Sequence, residues 1–460
     1  MFEFTPTHLE QVLGTALSQG GHYADLYIED TQVRSIELQD GKVSQAQQAS
    51  LCGAGIRVLV DDQTGYAYTM DLTLKGLLNA ARFAGNIALH GKSSSVSTPQ
   101  ITPQPESVTP LNFELLHNTQ AKQVLLEIDK AARQKDQRVI RVKAALTQRT
   151  QTIRFANSLG ESYTDCRPRT ALMLNVVMEQ DGTTQMGYAT EMLQMDAAFV
   201  TPERTERLIN EAVSRAAFLF NAIQTQGGEM PVVMAAGGSG ILLHEAIGHA
   251  FEADFIRQGT SIFTGKLGQN VCSKDITIVD DGTQRFDAAH LPWDDEGTPG
   301  QCTTLIHEGR LESFLHDRIS ARHFGVSPTG NGRRESFRHA PLPRMRSTYM
   351  LAGEATEQDI IRSVKKGIYA QVFTNGQVQI GAGDFTFYMK QGYLIEDGHL
   401  TQPIRDVNIT GNGPQALKDI SMVGNNLRID HSAAMCGKAG QSVPVSQGLP
   451  TVKINKLIVG

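Results

Sequence analysis

No run of apolar residues in the sequence approaches the ~20 that a membrane-crossing helix needs, so a helical membrane protein is excluded. The opening residues, Met1-Phe2-Glu3-Phe4-Thr5-Pro6, show neither the basic nor the apolar segment of a secretory leader, and a cytoplasmic location is expected. Cysteine is scarce. Cys52, Cys166, Cys272, Cys302 and Cys436 are scattered and odd in number, which excludes a secreted disulfide framework. An excess of positive charge is missing as well: 42 Lys and Arg stand against 48 Asp and Glu, a formal net charge of -6. That balance excludes any global attraction to nucleic acid or to an anionic membrane. Tandem repeats of fixed period are absent, which removes solenoids and propellers.

What is present is an ordinary globular composition, 40% hydrophobic and 20% charged, in a chain of 460 residues that exceeds the size of a single core. The predicted fold class is α+β, in two domains of mostly antiparallel sheet with flanking helices. Thr7-His8-Leu9-Glu10 has the form of a capping box, and Leu9, Val12, Leu13, Ala16 and Leu17 follow at helical spacing. Alternating segments then read as strands and hairpins, with turns at Asp40-Gly41 and Thr64-Gly65, and a second helix runs from about Leu72 to Leu89. Residues 91–112, rich in Ser and Pro, read as a surface linker. A helix near Thr119 to Gln134, further strands, and a helix opened by Thr201-Pro202-Glu203 complete a domain 1–225. The second domain, 226–460, is strand-rich, with hairpin turns expected at Asp281-Gly282, Glu308-Gly309 and Asp397-Gly398.

The sharpest chemical signal opens this second domain. In His244-Glu245-Ala246-Ile247-Gly248-His249, two imidazoles are of a kind to hold a divalent zinc ion while the carboxylate between them accepts a proton from water, as in the His-Glu-x-x-His hydrolases. Here the gap is one residue longer. At about 100° per residue, an i,i+5 pair lies about 140° apart on a regular helix, against about 40° for i,i+4. The two histidines therefore reach one ion only if the helix widens into a π-type turn or ends there, and Gly248 marks the place. Gly238-Ser239-Gly240 upstream lacks the third glycine of a dinucleotide fingerprint, and no Gly-Lys-Ser/Thr follows.

A catalytic zinc takes three protein ligands. Glu252, Asp254, His290, His307, His431 and Cys436 are all chemically able, and spacing does not choose among them. The arginines of 322–346 (Arg322, Arg333, Arg334, Arg338, Arg344 and Arg346) read as a subunit interface or solvated loop, with recognition of a peptide end as the alternative. Asp294-Asp295-Glu296-Gly297 reads as a charged turn.

Several motifs in order give the chain a resemblance to the TldD/PmbA peptidases, and within them to the metal-bearing TldD-type subunit. They are His244-Glu245-Ala246-Ile247-Gly248-His249, Asp295-Glu296-Gly297-Thr298-Pro299, Thr329-Gly330-Asn331-Gly332-Arg333-Arg334, Pro343-Arg344-Met345 and Met435-Cys436-Gly437-Lys438-Ala439-Gly440-Gln441. The resemblance implies a zinc metallopeptidase in which His244, His249 and Cys436 bind the metal and Glu245 is the base. It also implies unfolded or modified peptides as substrates, and a homologous metal-less PmbA/TldE-type partner or a second copy of the chain. Two other functions stand beside this one: a non-enzymatic peptide-binding regulator of the gyrase-modulator kind, and a zinc hydrolase of a non-peptide amide.

Overall fold

The structure, a computed structural model, describes residues 4–87, 100–103 and 113–460. The expected linker 91–112 lies outside these residues except at 100–103, where Thr102–Pro103 pairs in parallel with Glu161–Ser162.

A seven-stranded sheet fills the first half, its long strands ordered Gln63–Thr69, Lys42–Val60, Tyr23–Gln39, Val139–Asn157, Glu161–Gln180 and Thr183–Leu193. Side chains alternate across a strand, and Tyr23–Gln39 shows the consequence. Leu26, Ile28 and Ile36 face the helices Pro6–Ala16, Leu74–Gly85, Asn118–Lys135 and Pro202–Leu219. Asp25, Tyr27 and Glu29 face the opposite way and are buried all the same, against the second half of the chain.

The second half holds two six-stranded sheets. One runs His399–Asn412, Asp384–Glu396, Lys366–Gln379, Gly228–Met234, Val452–Val459 and Ile420–Val423; the other runs Arg310–Leu311, Cys302–His307, Ile278–Asp281, Ser347–Met350, Ser446–Leu449 and Arg428–Asp430. Pairing is mostly antiparallel, the exceptions in these two sheets being Lys366–Gln379 with Gly228–Met234 and Ser347–Met350 with Ser446–Leu449. The α+β expectation holds. One apolar core, with Ile368 and Phe387 from the first sheet and Ile278, Met350 and Leu449 from the second, encloses Leu242, Leu243, Ala246 and Ile247. The histidine motif thus lies between the two sheets.

The halves are joined by buried ions. Arg57 bonds to Asp25 and, at 2.6 Å, to Glu296; Arg167 bonds to Asp295 at 2.7 Å; Arg334 donates to the Asp25 carboxylate at 3.3 Å. Asp294 accepts from the main-chain N–H of Glu296, Thr298 and Gly332. This corrects one expectation and refines another. The Asp294–Gly297 stretch is a charged turn as expected, but its carboxylates are buried, and of the arginines read as solvated Arg333, Arg334, Arg344 and Arg346 are buried, with only Arg322 and Arg338 exposed. The partners that permit such burial lie far off in sequence, and removing one side of such a pair costs about 3–5 kcal/mol.

Turn chemistry explains the local outcomes. Asp40-Gly41, Asp181-Gly182, Glu308-Gly309 and Asp397-Gly398 all take positive φ at both residues, the mirror-image turn that suits a two-residue hairpin. Asp281-Gly282 does not form the expected hairpin: the Asp281 carboxylate accepts from Thr283 N and Oγ1, and a side chain at Gly282 would overlap the Arg346 guanidinium at 2.3 Å. Gly65 likewise sits inside a strand, the turn falling at Asp61, and the first helix starts at Thr5-Pro6 rather than at a Thr7 capping box.

Candidate metal centre

The motif is delivered by a strand, a glycine turn and a distorted helix. The strand Gly228–Met234 is followed by Gly237, whose φ of 96° favours glycine, and a single tight turn at Gly238–Gly240 leads into Ile241–Leu243. From His244 to Gly248 the helix is π-type, as the spacing predicts, and the main-chain N–H of His249 bonds to the carbonyl of His244. This i→i+5 bond closes one turn between the two histidines, so their rings sit 4.9 Å apart instead of on divergent faces. Gly248 has ordinary helical dihedrals; its missing side chain serves packing, because a Cβ there would lie 2.1 Å from Met345 Sδ and 3.0 Å from the Leu243 carbonyl oxygen.

Cys436 arrives on the hairpin Met435–Lys438/Gln441–Pro444, turned by Ala439 and Gly440 at positive φ. Ligand atoms of His244, His249 and Cys436 all lie within 4.8 Å of one another, and Cys436 Sγ is 3.4 Å from His249 Nε2. All three residues are buried. Among the described residues this is the one such group of three.

Electrostatics prepare the cluster for a cation. Burial opposes the Cys436 thiolate, but His244 and His249 outweigh it and bring the pKa down from 9.0 to about 5. Burial also opposes a charged His249, yet the carboxylate of Glu252, 3.0 Å from Nδ1, and the sulfur of Cys436 raise it well above the usual imidazole value. A thiolate, an imidazole oriented from behind by a carboxylate, and a second buried imidazole whose Nδ1 has no hydrogen-bond partner fit a divalent metal. Burial pushes Glu245 up despite the pull of His244 and His249, which moves a carboxylate toward the range of a neutral-pH base.

Glu252 and Asp254, both candidates for the third ligand by chemistry, instead form the layer behind His249. The Nζ of Lys438, two residues beyond Cys436 on the same strand, donates to Glu252 at 3.0 Å, Asp254 at 2.7 Å and the Pro343 carbonyl at 3.0 Å. Burial works against the Glu252 carboxylate, but Lys438 and His249 bring its pKa down to about 2. His290 bonds to the Gly282 carbonyl, His307 is exposed at the end of the strand Cys302–His307, and His431 lies 3.6 Å from Asp287. The buried arginines brace the same hairpin: Arg344 donates to the Cys436 carbonyl, and Arg333 to those of Met345 and Pro444. Sequence reasoning missed Lys438 and this role of the arginines; the only signal was their place in the motifs around Met345 and Cys436.

His244 and Glu245 open onto a cleft of about 850 Å³. Its far wall is the strand Lys366–Gln379, which pairs with Gly228–Met234 only through Ile368–Ala370. From Gln371 onward one edge has no strand partner among the described residues, and its other side carries register shifts between Ala370 and Asn375. Gly376 runs past the motif, with a Cβ there 3.1 Å from Glu245 Cγ.

Comparison with known proteins accords with this geometry. Family models described as PmbA/TldA metallopeptidase domain 1, central domain and C-terminal domain match residues 24–88, 113–217 and 227–460. The chain is 38% identical over 446 residues to the metalloprotease TldD homolog of Haemophilus influenzae, covering 95% of this chain and 92% of that one. It is 32% identical over 281 residues, 60% of each chain, to the zinc metalloprotease TldD homolog of Saccharolobus solfataricus. In fold it is similar to a putative modulator of a DNA gyrase from Thermotoga maritima (TM-score 0.78, 20% identity, 99% of this chain and 100% of that one). TldE from Thermococcus kodakarensis is similar too (TM-score 0.75, 19% identity, 98% and 100%). With its three domain models matched and its TldD relatives aligned almost end to end, the chain belongs to the PmbA/TldD family of metallopeptidases.

Proposed function

We propose that the chain hydrolyses peptide bonds of unfolded or modified polypeptides, with a zinc ion held by His244, His249 and Cys436 and with Glu245 as general base. The observation that carries this reading is the convergence of the three ligand atoms within 4.8 Å beside a half-buried carboxylate that lines the cleft. Bound there, zinc supplies a Lewis acid for the scissile carbonyl and makes water more acidic. Glu245 accepts the proton of the attacking water and returns it to the leaving amine. Glu252 holds the His249 ring through Nδ1, and Lys438 holds Glu252. The free edge of Lys366–Gln379 offers main-chain groups to an extended substrate, which gives loose sequence preference.

Glu245→Gln tests the assignment because it removes the base and leaves the ligands. Retained zinc with hydrolysis reduced about 10²–10⁴-fold is expected; wild-type turnover would overturn the role. The reading includes a second subunit, a homologous metal-less partner or another copy, closing over the cleft. Light scattering of the cleaving preparation at one subunit's mass would remove that part.

A further inference from the structure

The cleft beside His244 and Glu245 continues into a second groove of about 610 Å³, and Glu211, Gly238, Arg428, Asp430 and Ser432 line both. Most charges along this path are already matched. Arg215 holds Glu211, Arg204 and Arg207 share Glu191, His431 lies against Asp287, and Asp430 accepts from Ser432 N and Oγ. Arg428 is different: exposed at the junction, it has no carboxylate partner and no side-chain hydrogen bond among the described residues.

Its stem is nevertheless fixed. Arg428 pairs with Leu449 in the sheet, and the Leu449 carbonyl accepts from Gly237 N at 2.9 Å. A Cβ at Gly237 would come within 3.6 Å of Arg428 Cβ. The guanidinium therefore rises from a rigid strand beside the glycine turn that leads to His244, in a cleft whose main-chain wall imposes little sequence preference of its own.

We propose that Arg428 binds a carboxylate of the substrate peptide, and so sets where along the chain the scissile bond falls. The planar fork of guanidinium donors matches a carboxylate in two parallel hydrogen bonds, a geometry that an ammonium does not reproduce. The carboxylate comes either from a free C-terminus or from an Asp or Glu side chain. The inference rests on the peptidase reading for its substrate class, and its test is built on binding so that the two fail separately.

Fluorescence anisotropy of labelled hexapeptides on the zinc-loaded Glu245→Gln protein reads affinity without turnover. Three peptides are compared: one with a single free C-terminal carboxylate, one with that terminus amidated and an internal Glu, and one amidated with Gln in place of Glu. At least one acid is expected to bind tenfold or more tightly than the fully amidated peptide, and which one does so identifies the source. In the same background Arg428→Gln brings that ratio below threefold, and Arg428→Lys leaves it intermediate. Equal affinity for all three peptides, or a ratio unchanged in Arg428→Gln, overturns the assignment. If the wild-type chain cleaves none of them yet its acid preference depends on Arg428, the carboxylate site stands and the peptidase reading falls.

Discussion

Adding one methyl group at Gly248 tests whether the π turn, and not merely the two histidines, makes the metal centre. The Cβ of Gly248→Ala would sit 2.1 Å from Met345 Sδ, 3.1 Å from Met345 Cε and 3.0 Å from the Leu243 carbonyl oxygen. Optimal contacts between heavy atoms fall near 3.5–4.0 Å, so the overlap with sulfur is roughly 1.5 Å. Met345 has nowhere to retreat: it is fully buried, and its neighbours Arg344 and Arg346 are tied to main-chain carbonyls on both sides. Overpacking of this kind costs about 1–3 kcal/mol, and each kcal/mol lowers Tm by about 2–4 °C in a domain of this size. The larger effect falls on the proposed ligands His244 and His249, since the strain is relieved most directly by straightening the turn and swinging the two rings apart. The expected result is a lower Tm together with loss of zinc after dialysis, read by elemental analysis. Met345→Ala opens the space, so the double variant should regain zinc that Gly248→Ala alone has lost, even though Met345→Ala by itself costs about 2–5 kcal/mol. A Gly248→Ala protein with full zinc occupancy and unchanged Tm would refute the link between the turn and the site.

Cys436→Ser should weaken zinc retention and hydrolysis together while Cys302→Ser, at the exposed start of the strand Cys302–His307, leaves zinc stoichiometry unchanged; X-ray absorption without sulfur in the zinc shell would end the ligand role. In the same assays Lys438→Met should weaken zinc binding about 10–100-fold, because it leaves Glu252 and Asp254 buried without their cation. Stability should carry a separate acid signature from His316, which burial lowers from 6.5 to about 4. A depressed folded pKa means that the unfolded chain takes up the proton first, so this contribution is intact above pH 6.5 and is lost as pH falls toward about 4. It amounts to about 3 kcal/mol at most across that window. His316→Phe, which keeps a ring against Phe314 and Phe324, should flatten this limb in denaturant titrations at stepped pH, and an identical pH profile would count against it.

How much of this was legible in the sequence depends on the range of the interaction. The π turn could be read from His244 and His249 alone, because helix geometry over six residues is local. The hairpins at Asp40-Gly41, Glu308-Gly309 and Asp397-Gly398 could be read from residues that accept positive φ, whereas Asp281-Gly282 misled because its glycine answers to Arg346, which lies 64 positions on. Cys436 was reached only through family resemblance, since nothing in spacing ties it to a histidine 187 positions earlier. The arginines of 333–346 looked solvated for the same reason: their acceptors are main-chain carbonyls and carboxylates brought from elsewhere in the fold, and composition carries no trace of such partners.

That separation of 187 positions has a consequence for when the chain becomes reactive. Metal that binds the native cluster and not the unfolded chain adds its binding free energy to folding, and in an unfolded chain the closure entropy of so long a loop keeps the thiol away from the imidazoles. During synthesis both histidines emerge well before the cysteine, together with the strands that must fold between them. A chain broken anywhere between His249 and Cys436 loses the covalent link between the ends of the cluster. Assembly of the metal centre is thereby tied to completion of the fold, and under the function proposed above an unfinished chain is itself the kind of extended polypeptide that a finished copy would accept.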